Sequence, residues 1–157
     1  LELLGTIISV IFGAIVLYLI LNEYLKVKKD RKNINSKLEN NILQTDDIRI
    51  CSMVAVNVAV NFGSEFDYCK FYFNDDEVYL KFRYTTPNSF YTIPLVLKKN
   101  EHNSYSYFCS FTITKFELEG TEAKIHFKNK TFIGSAFKLN LEKVSEEDLE
   151  LLKKKLC

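Results

Sequence analysis

Glycine is scarce in this chain, five in 157 residues, and none of them sits in a loop that would cradle a phosphate. Histidine is scarcer still. His102 lies in a polar loop and His126 on the polar face of a strand pattern, neither with a partner at a catalytic spacing. The four cysteines, Cys51, Cys69, Cys109 and Cys157, are far apart, whereas zinc sites use closely spaced ligand pairs. The first three fall inside strand patterns and read as buried reduced thiols, with Cys157 exposed at the end. The acidic run Asp75-Asp76-Glu77 lacks the calcium-loop pattern and suits a hairpin tip. From these residues we expect no metal, no cofactor and no enzyme. An excess of one charge sign is missing too: the net charge is +1, so no nucleic-acid partner is expected.

What the chain does have is a long apolar start. Leu3 to Leu21 are 19 consecutive positions without a charge. As a helix this run spans about 28 Å, close to the hydrocarbon thickness of a bilayer. A cleaved secretory signal would show a basic start, a shorter apolar run and a small-x-small site; here the run ends in Leu-Ile-Leu-Asn-Glu-Tyr. Residues 1–21 therefore read as a permanent transmembrane anchor. Gly5, Ser9 and Gly13 recur every four residues on one helix face, a spacing that lets two helices approach closely in lipid. They are the candidate contact for a homo-oligomer.

Residues 22–45 form a basic juxtamembrane segment. Lys26, Lys28, Lys29, Arg31 and Lys32 follow the span, whereas no Lys or Arg precedes it. The positive-inside rule then puts the N-terminus outside and the rest of the chain in the cytoplasm. The chain starts at Leu1 rather than Met, and a basic leader before it would weaken that orientation. The same five side chains are the candidate contact with anionic lipid at the membrane surface. Sparse apolar positions, among them Val27, Ile34 and Leu38, suggest a few more helical turns and then a tether.

From Ile48 the apolar period changes from helical to two. In IRICSMVAVNVAVNF the even positions Ile48, Ile50, Val54, Val56, Val58 and Val60 are apolar, which predicts one long half-buried strand. Six further strands are predicted: FDYCKFYF, EVYLKFRYT, SFYTIPLVLKK, YSYFCSFTITKFEL, EAKIHFK and TFIGSAFKLNLEKV. Their inward residues include Leu80, Phe82, Ile93, Leu95, Leu97, Ile125, Phe127, Leu139 and Leu141. Pro94 cannot donate to a ladder and marks an edge or bulge. The pattern slips near Thr114 to Phe116, where a bulge would fit. Nine tyrosines and 13 phenylalanines mostly build the core, while Tyr79, Tyr91 and Tyr105 fall on faces that read as outward.

The last element, SEEDLELLKKKL, is helical. Ser145 and Asp148 form a capping-box variant, acids fill the first turn and lysines the last. Leu149, Leu152 and Leu156 make one apolar stripe that needs a surface to cover.

Seven mainly antiparallel strands and a C-terminal capping helix resemble the pleckstrin-homology-like superfold, in particular bacterial PH-like domains tethered to membrane helices. The textures that carry this are FYFNDDEVYLKF, YTIPLVL and FKLNLEKVSEEDLELLKKKL, over residues 46–157. The resemblance implies a sandwich or barrel with a protein- or membrane-binding role. The basic first hairpin of phosphoinositide-binding members is not seen, because NFGSEF carries Glu65 and no Lys or Arg, although Lys70, Lys81 and Arg83 could line a face. The expected function is thus a single-pass, cell-membrane-anchored, non-enzymatic interaction module. The alternative is a structural subunit resembling a type IV pilin or pseudopilin, with an exported β-rich head and Glu2 as its acidic residue.

Overall fold

The computed structural model describes residues 2–38, 42–55, 60–61, 66–74, 77–84, 90–92, 94–98, 105–106, 109–129 and 136–156. Helix α1 (Glu2–Leu38) runs unbroken for 37 residues, about 55 Å. Neither proline of the chain falls within it, and its first half offers apolar side chains all around. Ile8, Phe12 and Leu17 are among many exposed there, and the stretch Gly5–Leu38 is long and apolar enough to cross a membrane. From Val27 onward the exposure becomes one-sided, and Asp30 and Ile34 are buried.

Ten strands lie among the described residues. They are β1 (Leu43–Gln44), β2 (Ile48–Ala55), β3 (Val60–Asn61), β4 (Tyr68–Phe73), β5 (Val78–Tyr84), β6 (Phe90–Tyr91), β7 (Leu95–Lys98), β8 (Ser110–Glu119), β9 (Glu122–Lys128) and β10 (Ala136–Glu142). Helix α2 (Glu146–Leu156) ends the chain. Seven of the strands close on themselves in the order β4-β2-β10-β9-β8-β7-β5, with β5 returning to β4. Seven strands form the barrel, as expected, but the first is not one long strand: β2 ends at Ala55, and β3 pairs back antiparallel with Val54 and Ala55. The short β1, β3 and β6 are extensions at its margins.

Most junctions are antiparallel, as the short connections demand. The exception is β7 with β8, parallel through Val96↔Ser110 and Leu97↔Phe111. A parallel pair needs a crossover rather than a hairpin. The break predicted at Pro94 falls between β6 and β7, where Thr92 takes over the pairing with Phe82. The tight β8–β9 turn rests on Gly120 at φ 60°, a value that a two-residue hairpin turn requires of its first residue.

The interior is filled by the inward rows expected from the period-two pattern. Cys69, Phe71 and Phe73 face Val78, Leu80 and Phe82, and Ile125, Phe127, Leu139 and Leu141 close the other side. Phe111, Phe127 and Phe137 pack edge-on and stacked at 5.5–5.7 Å between ring centres. The slip near Thr114 is a bulge: Ile113 pairs Phe127 and Lys115 pairs His126, leaving Thr114 unmatched.

Strand β2 departs from its expected phase. Asn140 pairs Ser52 but Leu141 pairs Ile50, so Cys51 is an extra residue in the ladder. One extra residue flips every following side chain to the other face. The inward set is therefore Ile48 and Ile50, then Met53 and Ala55, while Val54 is only half-buried. Val56 and Val58 lie outside the described residues, as do Ile93, Cys157 and His102. Cys51 follows the inward Ile50 in plain alternation, so it is exposed where a buried thiol was expected; Cys69 and Cys109 are buried.

Helix α2 belongs to the barrel core. Leu152 and Leu156 are buried with Val144, and Leu149 and Leu151 pack against the same cluster. The Ser145 hydroxyl accepts the Asp148 amide at 3.2 Å, as the capping pattern predicted.

Candidate functional site

The most elaborate polar arrangement among the described residues lies where α1 meets the outside of the barrel. Strand β5 points Val78, Leu80 and Phe82 inward, so Tyr79 between them must point outward. Val96 of β7 does the same. These two, with Tyr105 and Cys109, form a second apolar cluster around Ile34 of α1, and Val27, Leu38 and Tyr72 pack at its margin. Val27, Ile34 and Leu38 share one side of the helix because seven and eleven residues return it to nearly the same face.

Charged groups frame this small core. Asp30, one turn before Ile34, accepts the backbone amide of Ser106 at 2.5 Å. At the other end Glu77 collects four partners. Lys37 reaches it at 2.9 Å, Lys98 at 3.0 Å, and the hydroxyls of Tyr79 and Tyr105 donate at 2.5 and 2.9 Å. Burial pushes the Glu77 carboxyl up, but the bonds from Tyr79, Lys37, Lys98 and Tyr105 outweigh it and hold the group down at about 2. Lys37 is raised in return, first through its bond to the Tyr105 hydroxyl and then through Glu77. Tyr79 is pushed well up by burial and by donating to Glu77. Lys37 and Lys98 also lie over the Tyr105 ring, at 5.6 and 4.8 Å. The whole cluster is a lock between helix and barrel, and each of its charges is spent inside it.

A basic face runs beside the lock. Lys70 and Lys81 stand directly opposite on β4 and β5, both near the Tyr72 ring. Arg31 and Asn35 of α1 line a cleft of about 260 Å³ with Lys81, Tyr91, Thr92 and Pro94. Burial lowers Lys81. Arg83 instead pairs with Asp47, which also takes the Tyr91 hydroxyl at 2.6 Å.

The residues singled out from the sequence are distributed differently. Gly5, Ser9 and Gly13 lie on the exposed half of α1, and nothing approaches within 4 Å of a Cβ placed at Gly5 or Gly13. The Ser9 hydroxyl bonds the Gly5 carbonyl at 3.0 Å. Lys26, Lys28, Lys29, Arg31 and Lys32 are all exposed; Lys28, Lys29 and Lys32 fall opposite Ile34, while Arg31 faces the cleft. Tyr79 and Tyr105 do point outward, yet they are buried by the chain's own helix rather than free. No three His, Cys, Asp or Glu side chains among the described residues gather as metal ligands would.

No family model, curated protein or solved structure matches the chain. Its function must be argued from the geometry itself.

Sequence reasoning missed the lock as a unit. The signal was the stripe Val27, Asp30, Ile34, Lys37 and Leu38, an apolar seam with one acid and one base on it. In the sequence these positions suggest only a few more helical turns and then a tether within a basic membrane-surface segment. What joins them is Glu77, forty residues away, and strand period alone does not say that the outer face of β5 is covered.

Proposed function

We propose that this is a single-pass membrane protein whose stalk helix displays a non-enzymatic, PH-like interaction module in the cytoplasm. The observation that carries this reading is the continuity of α1. One helix supplies the apolar span and the face that docks on the barrel, through Asp30, Ile34 and Lys37. Ile34 lies thirteen residues beyond Leu21, about 20 Å along the helix. The barrel is then held at a fixed height and angle above the bilayer instead of floating on a tether. Such a mounting suits a module that meets a partner protein or the membrane surface in one orientation. The basic flank supports the cytoplasmic placement. Gly5, Ser9 and Gly13, on a face of α1 with no intrachain neighbour, support pairing of two spans.

A pilin-like subunit is the second reading, favoured by the same long helix that projects at one end and docks on a β-domain at the other. The closed barrel with its own core and the integral α2 favour the first.

Thiol accessibility separates the two. Cys51 is exposed on the barrel and Cys69 and Cys109 are buried, so with Cys157 replaced by serine Cys51 is the reporter. An impermeant thiol reagent should leave Cys51 unlabelled in intact cells and label it after permeabilisation. A cysteine placed before Leu3 should show the converse. Labelling of Cys51 in intact cells would discard the cytoplasmic module in favour of the exported subunit.

A further inference from the structure

Two aromatic side chains stand exposed at one end of the barrel: Phe90 is 52% exposed and Tyr91 40%. Phe90 continues a stack that starts in the core, where Phe82 meets Phe66 at 4.8 Å, Phe66 meets Tyr84 at 4.7 Å and Tyr84 meets Phe90 at 4.7 Å. A ladder of rings leading from the core to the exposed Phe90 leaves apolar area without a partner among the described residues. Its position relative to α1 says what covers it. Lys37 touches Glu77, Ile34 packs on Tyr79, and Arg31 lines a cleft with Lys81. As α1 is followed back towards its apolar half, β5 is therefore followed forward, and its Tyr84 end points towards the span.

Distances sharpen this. Arg31 lies ten residues past Leu21, about 15 Å along the helix. From Lys81 to Tyr84 the strand advances about 10 Å in the opposite sense. Tyr84 and its pairing partner Phe90 thus come within roughly 5–10 Å of the level where the apolar run ends. The headgroup layer is about 5–8 Å deep on each side of the hydrocarbon, and aromatic side chains collect there. Arg31 and Lys81 stand farther out, about 15 Å from the end of the apolar run, where an anionic surface still attracts cations across roughly a Debye length of 8–10 Å.

We propose that the β5–β6 end of the barrel, through Phe90, Tyr91 and Tyr84, is a second membrane contact, seated in the headgroup layer of the bilayer that α1 crosses. This rests on the reading of α1 as a membrane span. It makes the module a two-point mount, pinned by the helix and levelled by the aromatic end, with the basic cleft facing the anionic surface from beyond the headgroup layer.

The chain contains no tryptophan, so single reporters can be read without background. Full-length protein carrying Phe90→Trp would be placed in vesicles of mixed neutral and anionic phospholipid, with nitroxide labels at the headgroup or near the chain end. Phe12→Trp in mid-span reports on the helix, and Leu43→Trp, exposed beside the β4–β5 end, reports on the far side of the barrel. The expected result is blue-shifted Phe90→Trp emission that loses most intensity to the headgroup label. Phe12→Trp should respond to the deep label and Leu43→Trp to neither. If Phe12→Trp is quenched but Phe90→Trp emits as in water, the second contact is wrong and the span stands. If Phe12→Trp is not quenched either, the membrane reading itself has failed. Equal quenching of Leu43→Trp and Phe90→Trp would overturn the proposed orientation. Should Phe90→Trp disturb the barrel, Tyr91→Trp on the same strand carries the same expectation.

Discussion

Two buried clusters stand among the described residues, and they are built on different principles. The barrel interior is large and almost wholly apolar, packed from alternating residues of seven strands and closed by α2. The cluster under α1 is small, five buried residues, and is bounded by Asp30 at one end and Glu77 at the other. Apolar packing is non-directional and tolerates rearrangement, whereas a half-buried carboxylate with four donors accepts only one geometry. The barrel is thus stable by area, and the junction is specific by hydrogen bonding. The interior makes the module, and the junction decides how the module stands on its helix.

The largest effect should come from treating α2 as though it were dispensable. Leu152 is fully buried, and truncating such a leucine costs about 2–5 kcal/mol. Leu149 is half-buried in the same cluster and adds to the loss. Domains of this size have about 5–15 kcal/mol in total. Leu149→Ala with Leu152→Ala should therefore lower the melting temperature in micelles markedly, followed by near-ultraviolet circular dichroism. An unchanged melt would make α2 a detachable arm, and the interior would no longer be one body.

The junction should respond to acid before the barrel does. The Glu77 carboxyl sits at about 2, below its usual 4.5, because its donors favour the charged form. A group depressed on folding contributes stability that is complete above its ordinary value and is lost as pH falls towards the folded one. In a fully buried group such a shift would correspond to about 3 kcal/mol, and solvent screening at the half-buried Glu77 reduces it to about 1 kcal/mol. Between about pH 4.5 and 2 the stalk should loosen, and Glu77→Gln should loosen it at neutral pH. Distances between spin labels at Ser36 and Thr114, with Cys51 and Cys157 replaced by serine, would broaden in both cases while the barrel keeps its near-ultraviolet signal. A distance that stays sharp at pH 2 would show that apolar packing around Ile34 suffices, and the contrast between the two clusters would vanish.

The same contrast explains what was legible in the sequence. Leu80, Ile125, Phe127, Leu139 and Leu141 announce their burial because period two is enforced by the pleat wherever one face is buried. The bulge at Thr114 was visible for the same reason, since apolar residues stand on both sides of a phase slip. At Cys51 the slip was invisible, because Met53, Val54, Ala55 and Val56 are all apolar and fit either phase. Tyr79 and Tyr105 were placed outward correctly, but covering them depends on Ile34, in a segment whose composition reads as solvated. Glu77 looked like a hairpin-tip acid, and no local pattern tells that Lys37, Lys98 and two hydroxyls converge on it. Periodicity reports which face a residue takes, and it is silent on what lies across that face.

The smallest effect tests how firmly α2 is attached at its start. The chain leaves β10 through Lys143, which adopts a left-handed φ of 54°, and Val144 then turns into the core. Ser145 caps the helix by accepting the Asp148 amide, and its own carbonyl accepts the Leu149 amide at 2.9 Å. Val144 before the cap and Leu149 four residues into the helix pack on the same cluster, the arrangement that fixes a helix's entry angle. Removing the hydroxyl leaves one amide of the first turn without its acceptor but leaves this apolar clamp in place. Ser145→Ala should therefore cost only about 1 kcal/mol, a drop of about 2–8 °C in melting temperature. Ser145→Asp restores an acceptor at a helix start that favours negative charge, so it should recover most of the loss. A loss as large as that of the leucine pair would mean that the cap, and not the buried stripe, holds α2 on the barrel. Equal melting of the serine, alanine and aspartate chains would mean that Val144 and Leu149 set the start of the helix without it.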